Sequence, residues 1–406
     1  MPKNYTVKPN QSMPDVIVQA TGSMEAGMQF CNDNGVGIND IPGVNTVYTV
    51  SDAALGLGNA AVLRELAKNG TVIGTLNIEG MIRTATITID HTLCGARNSE
   101  NFVFHFTYTN DLLRSVAHGG YVANVNGYDI GFYDVDGVKL SWEVMKYVAE
   151  DGHITAYVRV PVLSGLLDTV IYMRYGDPRT TTFQGGTPWG NDMVAVHHFE
   201  DRTTLNGIDS SAYGNDATVV AATAVSGIEG DGYQAAASFN GSGYIKMYAS
   251  ESLLGMGTWS GWIKSEWDTS DDAFVWGKSG PYGIFLLLKD RKLRVRVSSP
   301  GPSTIITMLE GTIDVASHVG WMHVAVMMQG TTCSLFVNGV LDVTGTIPLT
   351  SLSDTVFRFG KDVAGDYDGY VGKMDEWRWS RGNRTAAWLT AEYNNMMAEG
   401  FYSVEF

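Results

Sequence analysis

The chain has 406 residues, of which 44% are apolar and 17% are charged, a composition typical of a globular protein and not of a disordered one. The net charge of −16 and the lack of a Lys/Arg cluster exclude nucleic acid as an expected partner. No apolar run is long enough to cross a bilayer and no export signal is evident, so we expect no membrane insertion and folding in a cytoplasm. The length predicts two or three domains, and 47 glycines among short β-branched and aromatic runs favour β-sandwiches.

The first segment carries the strongest helical signals. Ser12 and Asp15 have the spacing of a capping box, which predicts a helix over roughly residues 13–20. A second helical pattern follows and ends near Gly35. Thr46–Val50 then predicts a strand, so the segment has the order strand, helix, helix, strand.

This order, with its opening YTVKPNQS and an Asn-Gly pair after the second helix, resembles a LysM domain over about residues 4–51. The resemblance implies either N-acetylglucosamine binding by the loops or, as in similar modules at the amino termini of tailed-phage virion proteins, docking. Met13-Pro14 replaces the usual Asp-Thr-Leu of the motif, which favours docking. We assign the module to residues 1–52 and a helix with a linker to 53–82. Residues 1–79 are expected to bind other virion proteins.

Over residues 83–193 the apolar period changes to two, which predicts a β-sandwich. Phe102–Tyr108 and His153–Val160 show the alternation most clearly. The segments NGYDIGFYD (Asn126–Asp134) and DTVIYMRYGDP (Asp168–Pro178) resemble a bacterial and phage domain of uncharacterised function. That domain commonly precedes a laminin-G-like jelly roll, so the resemblance predicts the fold of the next domain.

Residues 194–406 resemble a laminin-G or concanavalin A-like jelly roll in the order of their motifs. ASFNGSGYI, WSGWIK and WMHVAV are followed by a hairpin whose turn is Asn338-Gly339, a strong two-residue turn signal. The stretch GYVGKMDEWRW (Gly369–Trp379) is predicted to be its last core strand. The fold class is therefore mainly β: a small LysM-like α+β module followed by two β-sandwich domains, the last a LamG-like jelly roll.

Two adjacent acids in that last strand raise the question of catalysis. Glycosidases need two carboxyl groups that face one another across the sugar. Successive side chains of a strand point to opposite faces, so Asp375 and Glu376 are not expected to form such a pair. The alternation places Asp375 on the face of Trp377 and Trp379 as a buried structural group, and Glu376 on the opposite face as an exposed partner of Arg378.

Other candidates for catalysis are weaker. Enzymes of the concanavalin A-like fold carry Glu-x-Asp-x-x-Glu along one strand, and Glu266–Asp271 approaches this pattern but lies in a predicted loop and lacks the last Glu. His197, His198 and His323 have no nucleophile motif beside them and are interpreted as core or sheet residues. We predict no catalytic residue and a protein that is not an enzyme.

A calcium site is implied by the jelly-roll resemblance. Its oxygen ligands would be Glu200, Asp209 and Asp375, with carbonyl groups of the loop 210–215 completing a hard-cation shell. The alternative is that these carboxylates only cap turns. Cys31, Cys94 and Cys333 are odd in number and lack metal-ligand spacing, so we expect three buried free thiols.

Sugar binding is a separate hypothesis for the jelly roll. Trp267, Tyr282 and Tyr367 lie in predicted loops, where exposed rings would stack on a host-surface glycan.

The preferred interpretation is a non-enzymatic structural protein of a tailed-phage virion, present in several copies as a homo-oligomer or a larger assembly. Its first module would dock to the particle and its sandwiches would project for decoration or adhesion. The alternative is a bacterial lectin-like surface protein, and the third is a glycoside hydrolase.

Overall fold

The chain is mainly β, as the sequence predicts. The computed structural model describes residues 3–9, 11–59, 61–63, 66, 82–199, 205–228, 230–247, 256–266, 272–278, 283–298, 305–347, 356–362 and 367–406. No helix among these residues is long and apolar enough to span a membrane. The three cysteines are free and buried, which confirms their prediction.

The amino-terminal module pairs two short strands antiparallel and packs helices against them. The capping box is confirmed, because the Ser12 backbone N–H donates to Asp15 Oδ2 at 2.8 Å and Ser12 Oγ accepts from the Asp15 backbone N–H. Gly22 ends the first helix at φ 82°, a left-handed conformation that glycine adopts without strain. The elements are β1 (Lys3–Thr6), α1 (Met13–Thr21), α2 (Gly27–Asn34), β2 (Val47–Val50) and α3 (Asp52–Leu57).

The middle sandwich contains the strands that the alternating pattern predicts. Within the segment Asn126–Asp134, only Gly131–Tyr133 forms a strand. One sheet has the order β3-β8-β5 and the other has the order β4-β7-β6. The strands are β3 (Arg83–Ile89), β4 (Ser99–Thr109), β5 (Gly131–Tyr133), β6 (Trp142–Val148), β7 (His153–Leu163) and β8 (Thr169–Tyr175).

The carboxy-terminal region forms two packed antiparallel sheets with a shared apolar core. The predicted hairpin turn is confirmed, because Asn338 and Gly339 both have positive φ, at 49° and 74°. The elements are β9 (Met193–His197), β10 (Ala217–Val220), β11 (Thr223–Gly227), β12 (Gly230–Asn240), β13 (Tyr244–Met247), β14 (Thr258–Ser265), β15 (Ala273–Lys278), β16 (Ile284–Lys289), β17 (Lys292–Ser298), β18 (Ile305–Glu310), β19 (Met322–Gln329), β20 (Thr332–Val337), β21 (Val340–Thr346), β22 (Phe357–Phe359), β23 (Asp368–Gly369), β24 (Val371–Ser380), α4 (Ala386–Met397) and β25 (Tyr402–Glu405).

We call the two sheets of this region the distal sheet and the junction sheet. The distal sheet has the order β10-β13-β22-β15-β16-β17-β18, with β23 beside β15. The junction sheet has the order β11-β12-β24-β14-β19-β20-β21, with β9 beside β24. Ala325 and Phe336 of the junction sheet belong to the apolar core of the middle sandwich, so β19 and β20 are covered on both faces.

The carboxy-terminal segment returns to the middle sandwich. Strand β25 pairs antiparallel with β3, with Tyr402 opposite Ile89, and so extends the sheet of the preceding region. Helix α4 lies against β4, where the Asn395 side chain bonds both the N–H and the C=O of His105 at 2.7 and 2.8 Å. The segment assigned by sequence to the jelly roll, 194–406, therefore contributes its last strand to the neighbouring sandwich.

Candidate functional site

A β-bulge decides where the acids of the strand β24 point. Ser260 of β14 pairs with Arg378 and Trp262 pairs with Asp375, so Gly261 lies opposite two residues, Glu376 and Trp377. Glu376 adopts φ 51°, in the left-handed region. A Cβ on Gly261 would lie 2.4 Å from Trp377 Cδ2, so the glycine admits the indole ring.

The bulge shifts the alternation by one residue. Met374, Trp377 and Trp379 all belong to the core between the two sheets of the jelly roll. The prediction that Asp375 shares the face of the two tryptophans is wrong, because the extra residue returns the tryptophans to the face of Met374. Asp375 and Arg378 lie on the other side of the sheet, toward the middle sandwich.

Asp375 is buried, as the sequence predicts, and it accepts backbone hydrogen bonds. Its side chain is 0% exposed; Oδ2 accepts from the Ile228 N–H and Oδ1 from the Glu376 N–H, both at 2.9 Å. Glu376 is 1% exposed, so the prediction of an exposed partner of Arg378 is wrong in its exposure. Both carboxylates are closed to solvent, and neither can reach a polymeric substrate in this conformation.

Glu376 belongs to a group of buried ionisable residues that we call the junction cluster: His198, His323, Glu376, Arg378 and Glu392. His198 Nδ1–H donates to Glu376 Oε1 at 2.7 Å. The Arg378 guanidinium donates through Nη2 to Glu376 Oε2 at 3.2 Å and through Nη1 to Glu392 Oε1 at 2.7 Å. His323 Nε2 lies 3.3 Å from Glu392 Oε2. Each carboxylate thus faces the guanidinium and one imidazole.

The electrostatics of the junction cluster favour ionised carboxylates. Burial raises the pKa of Glu376, but the charge and hydrogen bond of His198 and the charge of Arg378 outweigh burial and lower this pKa to about 2. Burial also raises the pKa of Glu392, and the hydrogen bond from His323 with the charge of Arg378 lowers it to about 2. Both groups are therefore anions at neutral pH, and a general acid needs the opposite shift.

Aromatic rings of the middle sandwich cover the junction cluster. The His198 ring stacks on Tyr157 with centroids 4.9 Å apart, and Arg378 Cζ lies 5.1 Å from the Trp189 ring centroid. Glu143 links the same regions, since it accepts from Trp189 Nε1 at 2.7 Å and from Ser210 Oγ at 2.9 Å. All five members belong to the carboxy-terminal region and rings of the middle sandwich pack against them, so the cluster lies at the contact between the two regions.

Next to the junction cluster, His197 lies in an apolar setting. Its Nε2 is 3.0 Å from Met247 Sδ, and the ring stacks on Phe199 with centroids 6.1 Å apart. Burial lowers the pKa of His197 to about 4. The buried positions of His197, His198 and His323 agree with the interpretation that all three are core or sheet residues.

The proposed calcium ligands do not form a described group. Glu200 lies outside the described residues. Asp209 Oδ1 accepts from the N–H groups of Val196 and Ser211 at 2.8 and 2.9 Å, and Oδ2 accepts from Ser211 Oγ and the Asn215 N–H, both at 2.7 Å. These donors satisfy Asp209 as a turn cap, the alternative that the sequence leaves open. Calcium binding stays a prediction.

One other cluster has the composition of a metal site. Among the described residues, Asp90, His91 and Asp168 place their ligand atoms within 4.8 Å of one another. His91 Nδ1 is 2.7 Å from Asp168 Oδ1, and the three side chains are at least a third exposed. An exposed ion pair explains this arrangement.

The proposed sugar-stacking rings are not brought together. Trp267 and Tyr282 lie outside the described residues. Tyr367 is only 9% exposed, since its ring packs with Phe274 and Phe285 at centroid distances of 6.4 and 6.1 Å. The expectation of an exposed Tyr367 ring is therefore wrong, because the ring closes a small apolar cluster beside the distal sheet.

The described surface contains clefts outside the jelly roll. One cleft, with a volume of about 830 Å³, lies between the loops of the amino-terminal module and the middle sandwich. Lys8 and Asp40 line one side, and Val116 and Arg179 line the other. The loops of the amino-terminal module that contain Lys8 and Asp40 thus face the neighbouring sandwich.

The fold and its sheet order define a concanavalin A-like jelly roll in the carboxy-terminal region. Residues 239–390 match the family Laminin_G_3, described as the concanavalin A-like lectin/glucanases superfamily. The comparison with curated proteins gives no match. The predicted jelly roll is confirmed.

Solved structures with partial similarity include binding domains of bacterial toxins. The binding domain of Paraclostridial Mosquitocidal Protein 1 aligns at 15% identity and TM-score 0.43, covering 50% of this chain and 52% of that one. The botulinum neurotoxin serotype D binding domain aligns at 14% identity and TM-score 0.40, covering 50% of this chain and 51% of that one. Domain 4 of AbnA aligns at 18% identity and TM-score 0.39, covering 49% of this chain and 97% of that one. AbnA is a GH43 arabinanase from Geobacillus stearothermophilus, and this domain was solved with arabinotriose. The chain spans about half the length of these toxin binding domains.

Sequence reasoning identified the Glu376–Arg378 pair and the core histidines but missed Glu392 and the other contacts of the junction cluster. Glu392 lies on α4 between buried apolar residues, Leu389 and Ala391 among them, and an acid at such a position indicates a buried partner. That signal was available. The sequence does not identify the partner of Glu392, because Arg378 and Glu392 meet only after the strand and the helix have packed.

Proposed function

We propose that this chain is a non-enzymatic structural protein of a tailed-phage virion. Its amino-terminal module docks to other virion proteins, and its two sandwiches face outward for decoration or adhesion to a host surface. Several copies act together in the particle. The phage assignment and the docking role come from the sequence resemblances over residues 4–51 and 83–193.

The burial of the acids in the last core strand is the observation that carries the non-enzymatic part of this proposal. Asp375 accepts backbone hydrogen bonds, and Glu376 is held as an anion by His198 and Arg378. Glycoside hydrolysis requires a proton donor and a second carboxylate on opposite sides of an accessible sugar. These acids instead bind His198, Arg378 and the backbone of Ile228 within the carboxy-terminal region, which supports a scaffold whose useful property is its shape.

The connection between the sandwiches supports the same role. Strand β25 and helix α4 bind the middle sandwich, and Ala325 and Phe336 of the junction sheet pack into its core. Two sandwiches joined in this way form one continuous outward-facing part. A rigid projection suits adhesion from a particle.

The second candidate is a bacterial lectin-like surface protein, which the match to a lectin/glucanase superfamily favours. It differs from the first candidate in what residues 1–79 do. A virion protein needs them for assembly, whereas a free lectin does not.

The experiment compares the full chain with a variant that begins at residue 82. The variant ends at 406 and not inside the jelly roll, because β25 completes a sheet with β3. Both proteins are expressed during infection, virions are purified, and each protein is located by immunogold electron microscopy. We expect the full chain on the particles and the shortened chain in the unbound fraction. Glycan-array binding by both chains, with neither on particles, would favour the lectin.

A further inference from the structure

A small cleft opens on the middle sandwich beside the edge strand β5. It has a volume of about 210 Å³, enough for roughly one sugar ring. We call it the cationic cleft. Its principal side chains are Tyr128, Tyr133, Lys139, Trp142 and Arg174.

The two cations of this cleft have no carboxylate partner among the residues that the structure describes. Arg174 and Lys139 form cation–π contacts with aromatic rings. The two acids nearby are already engaged. Asp177 forms a two-pronged pair with Arg179 at 2.8 and 2.7 Å, and Asp129 accepts three backbone N–H bonds, from Ala123, Asn124 and Gly176. The lining therefore carries two cations whose N–H donors are not taken up by a described carboxylate, beside two acids, Asp129 and Asp177, that are bonded elsewhere.

The rings hold the cations in place. Arg174 Cζ lies 4.5 Å from the centroid of Tyr133, and Lys139 Nζ lies 5.2 Å from the centroid of Trp142. Trp142 is 0% exposed and forms a fixed floor. A cation positioned by a ring keeps its N–H donors available to an anion, whereas a cation in an ion pair does not.

The backbone around the cleft is also fixed. The three N–H bonds to Asp129 tie the loop before β5 to the end of β8, and Asp129 is 7% exposed. This loop and strand belong to the segments 126–134 and 168–178, which carry the resemblance to the domain of uncharacterised function. Two motifs about 40 residues apart thus converge on one cleft.

The lining is suited to one chemical class of ligand. The planar Arg174 fork matches a carboxylate, Lys139 adds a second positive charge, and Tyr128 offers a half-buried ring beside them. Thr180 and Gln184 supply hydroxyl and amide groups at the rim. A pyranose that bears a carboxylate has an apolar C–H face, hydroxyl groups and one negative charge, so it matches each of these features.

We infer that the cationic cleft of the middle sandwich binds an acidic saccharide through Arg174 and Lys139. The choice of a saccharide rests on the adhesive role proposed above, and the choice of an anion rests on the geometry alone. The site lies on the middle sandwich, outside the jelly roll.

The test is calorimetric titration of the full chain at low ionic strength with trigalacturonate, a hyaluronan tetrasaccharide and sialyllactose. The fully methyl-esterified form of trigalacturonate, which keeps the sugar skeleton and loses the charge, is the matched ligand control. We expect at least one acidic probe to bind. If trigalacturonate binds, its ester should bind about tenfold or more weakly, since a charge-assisted contact is lost.

Arg174→Gln is expected to weaken binding of that acidic probe by about tenfold or more. Arg114→Gln is the matched protein variant, because it removes one cation from the same sandwich outside the cleft; it should bind like the unmodified chain. Equal melting temperatures of the two variants establish that Arg174→Gln is folded.

The inference is overturned if no acidic probe binds at millimolar concentration, if the ester binds as well as trigalacturonate, or if Arg174→Gln has no effect. Full competition by inorganic phosphate alone also overturns it, because the site would then recognise any anion. Virion association is measured separately with Arg174→Gln. Saccharide binding without particle association would contradict the proposed virion role and leave the cleft assignment standing.

Discussion

The junction cluster and the cationic cleft use the same kinds of side chain in opposite ways. In the junction cluster, Arg378 is 6% exposed and lies between two carboxylates, so its charge is matched within the protein. In the cationic cleft, Arg174 stacks on a ring and has no carboxylate partner among the described residues. A matched buried charge holds a structure together, whereas an unmatched accessible charge is available to a ligand.

The largest expected effect comes from removing the cation of the junction cluster. Arg378→Met leaves Glu376 and Glu392 buried without their cation and should cost about 3 to 5 kcal/mol of unfolding free energy. Arg174→Met removes a half-buried cation with no described carboxylate partner and should cost at most about 1 kcal/mol, through the lost contact with Tyr133. Urea unfolding of both variants measures the difference. Equal losses would contradict the contrast between the two sites.

Acid should weaken the junction in two steps. The pKa of His197 is lowered from 6.5 to about 4 in the folded protein, so the unfolded chain binds this proton more readily. The corresponding free energy of unfolding is fully present above pH 6.5 and is lost as the pH falls toward 4. The loss is about 3 kcal/mol. The lowered pKa values of Glu376 and Glu392 add a second loss between about 4.5 and 2.

A variant separates these two steps. His197→Phe keeps an aromatic ring against Phe199 and Phe359 and removes the titrating group. Unfolding free energies measured from pH 7 to pH 3 should lose the first step and keep the onset of the second. An unchanged first step would show that another group causes it.

A smaller effect is expected where the last strand joins the middle sandwich. The Tyr402 hydroxyl accepts from the Thr107 N–H at 3.1 Å and donates to the Thr107 carbonyl. Tyr402→Phe removes both bonds and should cost about 1 to 2 kcal/mol. Ser403→Ala, an exposed change in the same strand, is the control and should be neutral by thermal unfolding. A neutral Tyr402→Phe would mean that β25 contributes little to the attachment.

The smallest expected effect concerns calcium. The Asp209 oxygens already accept four hydrogen bonds, so the turn-cap alternative predicts the same melting temperature in calcium and in chelator. A lower melting temperature in chelator would instead support the calcium site, since a bound ion stabilises the folded state.

Sequence patterns predicted the elements better than their orientation. Period-two alternation predicted the strand at His153–Val160, and the Asn338-Gly339 turn was recognised from residue type alone. The bulge at Glu376 was not predictable, because a left-handed residue in a bulge is usually glycine and nothing in GKMDEWRW marks the extra residue. A strict alternation therefore assigned Asp375 to the wrong face, whereas Glu376 lies on the side of Arg378 as predicted but is buried.

The candidate sites depend on contacts that are distant in sequence. Tyr402 pairs with Ile89, and Glu392 meets Arg378 only after α4 packs on the junction sheet. Local patterns do not encode such pairings. The cationic cleft likewise needs two segments to converge, and the sequence offered only the resemblance of each segment separately.

Native-state hydrogen exchange tests most directly whether the junction cluster joins the two sandwiches. The amides of β7 in the middle sandwich and of β24 in the jelly roll are followed by mass spectrometry in the full chain and in Arg378→Met. We expect the amides of both strands to lose protection from exchange by the same free energy, because the strands open together. Loss of protection in β24 with β7 unchanged would contradict it.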